Sequence, residues 1–405
     1  MKYHQNIILR VIWIFLFTLT FLSIHAQKEI SNFIFGHSLI HHEFQVNPTP
    51  SQETSLPHWI HFLSAEAGHQ YRVSGQYGFL PQHDNLPPFA QWGFDFVDSA
   101  WDSDYESFSE ADFNTILITP GNFIQWQSPL LNYPGETVSP IGATQTIFEW
   151  CNQQEADLNF YIYENWPDMA PFLSNGFPPS ENEWNSYNEN LNTEFRDWFR
   201  EYCIGVKQSF PNSCIKLIPV GSLISQLLST SPFDDIAISD LYEDDAPHGR
   251  PTIYFLAALI SYMTIYEEKA PLSYEVEAII HPLIAEQYEE IVEIFWSKLQ
   301  TLIESNGESM VFCKQPIVST LSTLDNKPTS IISPNPTHHS ITIETPIETS
   351  LINIVDLHGK VMLKTATGTA GSSTIDISHF PKGVYILQTF DDRNIRTYRN
   401  KIIKL

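Results

Sequence analysis

From residue 27 on, short and largely apolar runs alternate with longer segments whose apolar positions recur every three or four residues. A short continuous run suits a strand buried on both faces, whereas the longer period places one apolar stripe along a helix. Phe33 to Phe35, Tyr71 to Ser74, Thr115 to Thr119, Leu158 to Tyr163 and Ile215 to Val220 therefore read as strands. Helices are expected near His58 to Ala67, over Ala143 to Gln153, as one long element from Glu183 to Gln208, and over Leu223 to Leu228. Ile253 to Ile265 reads as a buried helix, and a further helix after Pro282 repeats Ile284, Tyr288, Ile291, Val292, Phe295, Leu299 and Leu302 at helical spacing. Helices between strands imply crossover connections, so residues 27–318 are expected to form a three-layer α/β/α domain around a parallel sheet. Ligands of such sheets bind beyond the carboxyl ends of the strands, where Ser38, Gly75, Asn122 and the Asp245 loop fall in this reading.

Both ends of the chain follow other patterns. Lys2 and Arg10 precede the apolar stretch Val11 to Ile24, and His25-Ala26 before Gln27 offers a small-residue cleavage position, so residues 1–26 read as a signal peptide. No later segment has the length and apolarity of a membrane span, so none is expected once the signal is removed. Between Ser319 and Ser333 the composition shifts to Ser, Thr, Pro and Asn, a linker signature placed at residues 319–330. Beyond it Ile341 to Glu344, Leu351 to Asp356, Lys360 to Thr365, Ser373 to Ile377 and Val384 to Thr389 are punctuated by Gly and Pro, which predicts a small all-β sandwich over residues 331–405. Ser333-Pro334-Asn335-Pro336, then Ile354-Val355-Asp356-Leu357-His358-Gly359-Lys360, then Phe380-Pro381-Lys382-Gly383-Val384-Tyr385 occur in order there, closed by a basic end from Arg396 to Lys404. This set resembles the type A C-terminal sorting domain of the bacterial type IX secretion system. The resemblance implies that residues 331–405 engage the type IX machinery, that the protein is secreted or displayed at the cell surface, and that this segment carries no chemistry.

Composition narrows the function further. Apolar residues make up 42% of the 405 and aromatics 13%, ample for a sizeable core. The formal charge of −26 is uneven: eight Lys/Arg stand against six Asp/Glu from Ile331 on, leaving 13 against 41 before it. Such an acidic body repels phosphate backbones and anionic bilayers, which argues against nucleic acid as a partner. Of the four cysteines, Cys203 ends one expected helix and Cys214 begins the next strand, so a short bridge between them is the expected pairing in an oxidising compartment.

Two segments suggest an activated serine. Phe33-Ile34-Phe35-Gly36-His37-Ser38-Leu39 ends an apolar strand in Gly-x-Ser, a sharp turn that can hold a hydroxyl above the sheet edge. Asp245-Ala246-Pro247-His248, at the mouth of the buried helix, can supply a base and its orienting carboxylate. In this order the pair resembles the SGNH (GDSL-type) hydrolase family, over roughly residues 30 to 270. The resemblance implies a flavodoxin-like sheet, Ser38 as nucleophile, His248 as base and Asp245 as its partner. It also implies an oxyanion hole from the Ser38 amide, the Gly75 amide and the Asn122 side chain, with Gly78 as the substitute for Gly75. The chain departs from the family's blocks twice: His37 stands where an acidic residue is usual, and Phe123 follows Asn122 where an aspartate is usual.

His37 is expected to contact substrate or fix the loop. Trp92, Trp101, Trp126 and Trp166 thicken around the site segments, and Trp126 and Trp166 are the rings assigned to substrate, since aromatic faces stack on sugars. His37, His41, His42 and Glu43 invite a metal reading, but adjacent His41 and His42 point apart on most backbones, so no metal and no cofactor is expected. The sequence therefore predicts a secreted serine esterase acting on carboxylic esters, with a glycan ester as the favoured substrate. A non-catalytic glycan-binding surface protein on the same fold is the alternative.

Overall fold

A computed structural model of the chain describes residues 27–42, 55–94, 96–304, 307–313, 331–345, 351–355, 360–366, 371–390 and 396–405. The expected signal peptide, the linker and Glu43 lie outside the described residues. The chain divides into two compact units, Met1–Ile317 and Val318–Leu405.

In the first unit, five strands form a parallel sheet: β1 (Glu29–Gly36), β2 (Gln70–Tyr77), β3 (Thr115–Ile118), β4 (Asn159–Tyr163) and β5 (Cys214–Ile218). Their spatial order is β2-β1-β3-β4-β5. The chain runs one way from β1 to β2 and the other way from β3 onward, so the crevice of this topology opens between β1 and β3. Phe33, Ile34 and Phe35 in β1 are wholly buried, as a strand covered on both faces requires.

Helices fill the connections: α1 (Leu56–Glu66), α2 (Pro140–Gln154), α3 (Glu181–Asn190), α4 (Arg196–Lys207), α5 (Val220–Leu228), α6 (Pro251–Tyr266) and α7 (Tyr288–Thr301). Sequence sets several starts, since Ser55 and Ser139 accept from His58 N and Gly142 N with Pro57 and Pro140 in the first turns. All sixteen residues of α6 are buried, because it packs against α1, α5 and α7 at once. The long helix expected from Glu183 to Gln208 is interrupted: a π-helical turn, Leu191–Phe195, joins α3 to α4. Among the described residues no helix is long and apolar enough to cross a membrane.

A buried polar crosslink fixes the carboxyl edge of this sheet. His37, immediately after β1, takes the Leu39 amide on Nδ1 at 3.4 Å and donates from Nε2 to the Pro120 carbonyl, after β3, at 3.0 Å. The Asn165 side chain, after β4, donates to the same carbonyl at 2.9 Å. Three strand ends thus share one acceptor. Burial pushes the His37 imidazole from 6.5 down to about 4, against the upward pull of the Pro120 bond.

The expected Cys203 to Cys214 bridge is not formed. Cys203 faces the core from α4 and is free, as is buried Cys151, while Cys214 is bonded to Cys313, 99 residues on. The reason is the segment after α7: it runs along the outer edge of β5, with Leu217 N donating to Met310 O at 2.9 Å, and so lays Cys313 beside Cys214.

The second unit is all antiparallel β, with one sheet ordered β10-β7-β6 and another β12-β11-β8-β9. Its strands are β6 (Ile331–Ser333), β7 (Ser340–Thr345), β8 (Leu351–Val355), β9 (Val361–Ala366), β10 (Gly371–Asp376), β11 (Gly383–Phe390) and β12 (Arg396–Lys404). Ile341, Ile343, Ile352, Ile354, Ile375, Tyr385 and Leu387 build a core of its own.

Two outcomes follow. Cys313→Ser is expected to lower unfolding free energy by about 4–5 kcal/mol, because a closure of this length is lost, and urea unfolding with and without reductant measures it. Since unfolded chains bind the His37 proton near 6.5 and the folded one only near 4, stability present above pH 6.5 is lost as pH falls towards 4. His37 alone is expected to remove about 2 kcal/mol between pH 7 and pH 5. An equal pH slope in His37→Gln would contradict this account.

Candidate active site

The turn that presents Ser38 begins with a closely packed glycine. A Cβ on Gly36 would sit 2.9 Å from Ile40 Cγ1, 3.1 Å from Ile34 Cγ2 and 3.3 Å from Trp92 Cζ3, so any other residue would push these side chains aside. Ile40 N closes the turn on His37 O at 2.9 Å, and Tyr254 Oη, from α6, donates to Ser38 O at 2.7 Å. The backbone around Ser38 is therefore held from the sheet side by His37 and from the helix side by Tyr254.

His248 reaches it from the loop that opens α6. Ser38 Oγ lies 3.0 Å from His248 Nε2, and His248 Nδ1 lies 2.7 Å from Asp244 Oδ2. With the Nδ1 proton given to the carboxylate, Nε2 is left as the acceptor of the serine proton. Here the structure corrects the sequence expectation: the carboxylate on His248 belongs to Asp244, one residue before Asp245. Asp244 Oδ1 accepts the amides of Ala246 at 3.1 Å and His248 at 3.0 Å, which curls the loop and turns this side chain inward. Asp245 instead offers its backbone carbonyl to the amides of Met169 and Ala170, at 3.0 and 3.1 Å. Burial alone would raise the Asp244 carboxyl, but the His248 ring and amide bonds outweigh it and hold it below the usual carboxylate range.

Loop position is set by two further contacts. Glu243 N donates to His248 O at 2.9 Å, and the buried Trp166 donates from Nε1 to Pro247 O at 2.8 Å. Trp166 is 1% exposed, so it props the loop and does not present a face to substrate, contrary to the sequence expectation. His37 is buried as well, so of the two roles expected of it the ring takes the second, fixing the turn, and offers no face to substrate.

His42 stacks on His248, ring centroids 3.6 Å apart and planes 8° from parallel, with the buried Glu243 carboxylate 3.5 Å from its Nδ1. Burial, and next the adjacent His248, lower the His42 imidazole to about 4, so it is a neutral plate against the ring of His248. Sequence had grouped His42 with a metal cluster. Among the described residues no group of His, Cys, Asp and Glu could hold a metal ion.

Ser38 and His248 open into a cavity of about 450 Å³ lined also by His41, His42, Tyr77, Gln91 and Trp92. Gly75 does not line it. It lies inside β2 opposite Ile34, its carbonyl taking the Gln91 and Trp92 amides, two positions short of the strand end. The Gly78 amide, the substitute, is given to Gly36 O at 2.8 Å. Asn122 lines a separate depression of about 240 Å³ together with Trp126, which is 74% exposed. No hydrogen bond engages the Asn122 side-chain amide among the described residues. Gln91 and Tyr77 escaped the sequence reading because a loop glutamine and a strand-end tyrosine carry no motif. Asp244 could have been found, since the run Glu243-Asp244-Asp245 offers a carboxylate four residues before His248 as readily as three.

Comparison with known proteins adds the following. Residues 332–404 match the family described as secretion system C-terminal sorting domain. No curated protein matches the chain. Among solved structures, a DUF4886 family protein from Bacteroides uniformis is similar at 14% identity and a TM-score of 0.43, over 67% of this chain and 95% of that one. A GDSL-like lipase from Parabacteroides merdae is similar at 13% identity and a TM-score of 0.34, over 58% and 95%. A carbohydrate esterase family 2 enzyme with a carbohydrate binding domain, from Corynascus thermopiles (Myceliophthora fergusii), is similar at 11% identity and a TM-score of 0.29, over 60% and 66%. The first unit is thus an α/β fold, and the C-terminal segment is a secretion sorting domain, which indicates export through type IX secretion to the cell surface or outside.

Proposed function

We propose that the protein is a secreted serine esterase that hydrolyses carboxylic esters through an acyl-enzyme. The observation that carries this reading is the line of contacts from Ser38 Oγ to His248 Nε2 at 3.0 Å and from His248 Nδ1 to Asp244 at 2.7 Å, opening on a cavity. Ser38 Oγ gives its proton to His248 Nε2 as it bonds to the acyl carbon, and Asp244 steadies the imidazolium that forms. Collapse of the tetrahedral intermediate breaks the ester bond, and the leaving alkoxide takes the proton back from His248. A water then repeats the sequence on the acyl-enzyme, releasing the acid and restoring Ser38.

For the oxyanion the reading assigns the Ser38 amide and the unengaged side-chain amide of Asn122, which follows Pro120 at the edge where His37 is bonded. Gly75 drops out of that role. The Gln91 side chain faces the cavity with Oε1 already on Tyr77 N, so its amide hydrogens are directed to substrate. An acyl group on carbohydrate is the favoured substrate: Tyr77 is 45% exposed and meets Trp92 edge to face, a wall on which a sugar ring can lie.

Fluorophosphonate labelling tests the nucleophile: wild type should be labelled and Ser38→Ala should not, and a folded wild type that stays unlabelled would favour the non-catalytic glycan-binding alternative. The carboxylate assignment has its own test in ester turnover. Asp244→Asn is expected to lower kcat about 10³- to 10⁴-fold, while Asp245→Asn stays near wild type. The reverse ranking would restore Asp245.

A further inference from the structure

Three cationic side chains of this acidic body line one cavity away from Ser38. It has a volume of about 200 Å³ and is lined by Glu164, Arg196, Arg200, Ser222, Gln226 and Lys298 among others. Glu164 follows β4 and is wholly buried. Its Oε1 accepts the Ser222 amide in the first turn of α5 at 2.7 Å, and its backbone carbonyl accepts the Gly221 amide at 3.0 Å. Glycine is required there, since a Cβ on Gly221 would lie 2.3 Å from Asn165 O. Glu164 Oε2, by contrast, has no hydrogen-bond partner among the described residues. A buried oxygen in that state is unfavourable unless something fills the space beside it.

Across the cavity the cations are incompletely used. Arg196 reaches out to Asp197 Oδ1 with Nε and Nη2, both at 3.2 Å, and Lys298 Nζ donates to Gln226 Oε1 at 3.0 Å. Among the described residues Arg200 has only the same Asp197 oxygen, at 4.0 Å, beyond hydrogen-bond reach. An idle guanidinium and an idle carboxyl oxygen therefore line the same space without meeting. Three positive groups against one carboxyl disfavour a metal ion. Whatever bridges them must offer an acidic group to Arg200 and a hydroxyl to Glu164.

We propose that this cavity is a second ligand site, which takes a small hydroxy acid of up to one sugar-acid ring, its carboxylate on Arg200 and a hydroxyl on Glu164 Oε2. A cavity of about 150 Å³ holds benzene, so the space suits one small substituted ring. The site does not depend on the esterase reading, because none of its residues belongs to the Ser38 cavity.

Its pH response follows from the groups that face Glu164. Burial raises the Glu164 carboxyl to about 7, against the Ser222 bonds and the Arg200 and Arg196 charges that lower it. Below that pH the carboxyl is neutral and repels no anion; above it, a second negative charge stands beside the ligand. Affinity for the hydroxy acid therefore falls as pH rises from 6 to 8.

Calorimetric titration of the full chain with D-glucuronate tests this, with acetate as an acid lacking hydroxyls and glucose as hydroxyls lacking the acid. Wild type should bind glucuronate saturably at pH 6, at least about tenfold tighter than acetate or glucose, and Arg200→Met should weaken it by at least about tenfold. Glu164→Gln, which still offers a donor and an acceptor, should bind with the pH dependence removed. Absence of saturable glucuronate binding, the result a water-filled cavity would give, overturns the proposal. So does binding indifferent to Arg200→Met, as a ligand lodged in the Ser38 cavity would be.

Discussion

The contact between Ser38 and His248 joins residues 210 positions apart, and no local rule of the chain brings them together. What makes it possible is a small set of buried polar bonds at the carboxyl edge of the sheet. One end is fixed where His37 and Asn165 converge on the Pro120 carbonyl, the other where Trp166 holds the Pro247 carbonyl. Asn165 and Trp166 are consecutive, so a single turn after β4 ties the serine loop to the histidine loop. Each of these bonds is modest in isolation, about 1 kcal/mol net, but each buried partner left alone would cost more than that. The network is therefore kept whole or lost whole, and the spacing of Ser38 Oγ and His248 Nε2 inherits its rigidity.

Much of this fold could be read from the sequence because the information is periodic. Phe33 to Phe35 and Phe160 to Tyr163 are apolar without interruption, as a doubly covered strand requires, whereas the serine caps before Pro57 and Pro140 start their helices ahead of the expected His58 and Ala143. The placing of the Ser38 and His248 segments at one edge was also legible, since strand direction in a parallel sheet puts both beyond the carboxyl ends. Choosing between Asp244 and Asp245 was not. Adjacent carboxylates in a loop differ only in which way the backbone turns, and that is decided by the amides of Ala246 and His248 folding onto one oxygen. Cysteine pairing failed for a related reason: Cys203 is near Cys214 in sequence but on the wrong face of α4, while Cys313 arrives by edge pairing along β5. The aromatic count misled in one instance, because Trp166 and Trp126 have the same composition signal and opposite burial.

The imidazoles near the site illustrate how burial overrides net charge. An excess of carboxylates before residue 331 would raise histidine affinity for protons through the long-range field. His37, His42 and His83 nevertheless fall to about 4, since removing an imidazolium from water outweighs a diffuse field screened within about 8 Å at physiological salt. Three neutral rings thus surround the edge that carries Ser38 and His248. Their neutrality matters to His248: a protonated His42 stacked at 3.6 Å would oppose the imidazolium that the proposed chemistry requires.

Asp244 concentrates two duties that other arrangements separate. Its Oδ1 gathers the amides that shape the loop and its Oδ2 orients the ring on that same loop, so ring and backbone are aimed by one rigid carboxylate. A three-residue spacing would place the carboxylate on the residue whose carbonyl already docks onto Met169 and Ala170, and the loop would lose that anchor to gain the ring contact. With four residues the docking and the orienting fall on adjacent positions, and neither competes with the other. The extra residue between Asp244 and His248 is thus what lets a short loop be both tethered to the 168–170 segment and turned towards Ser38.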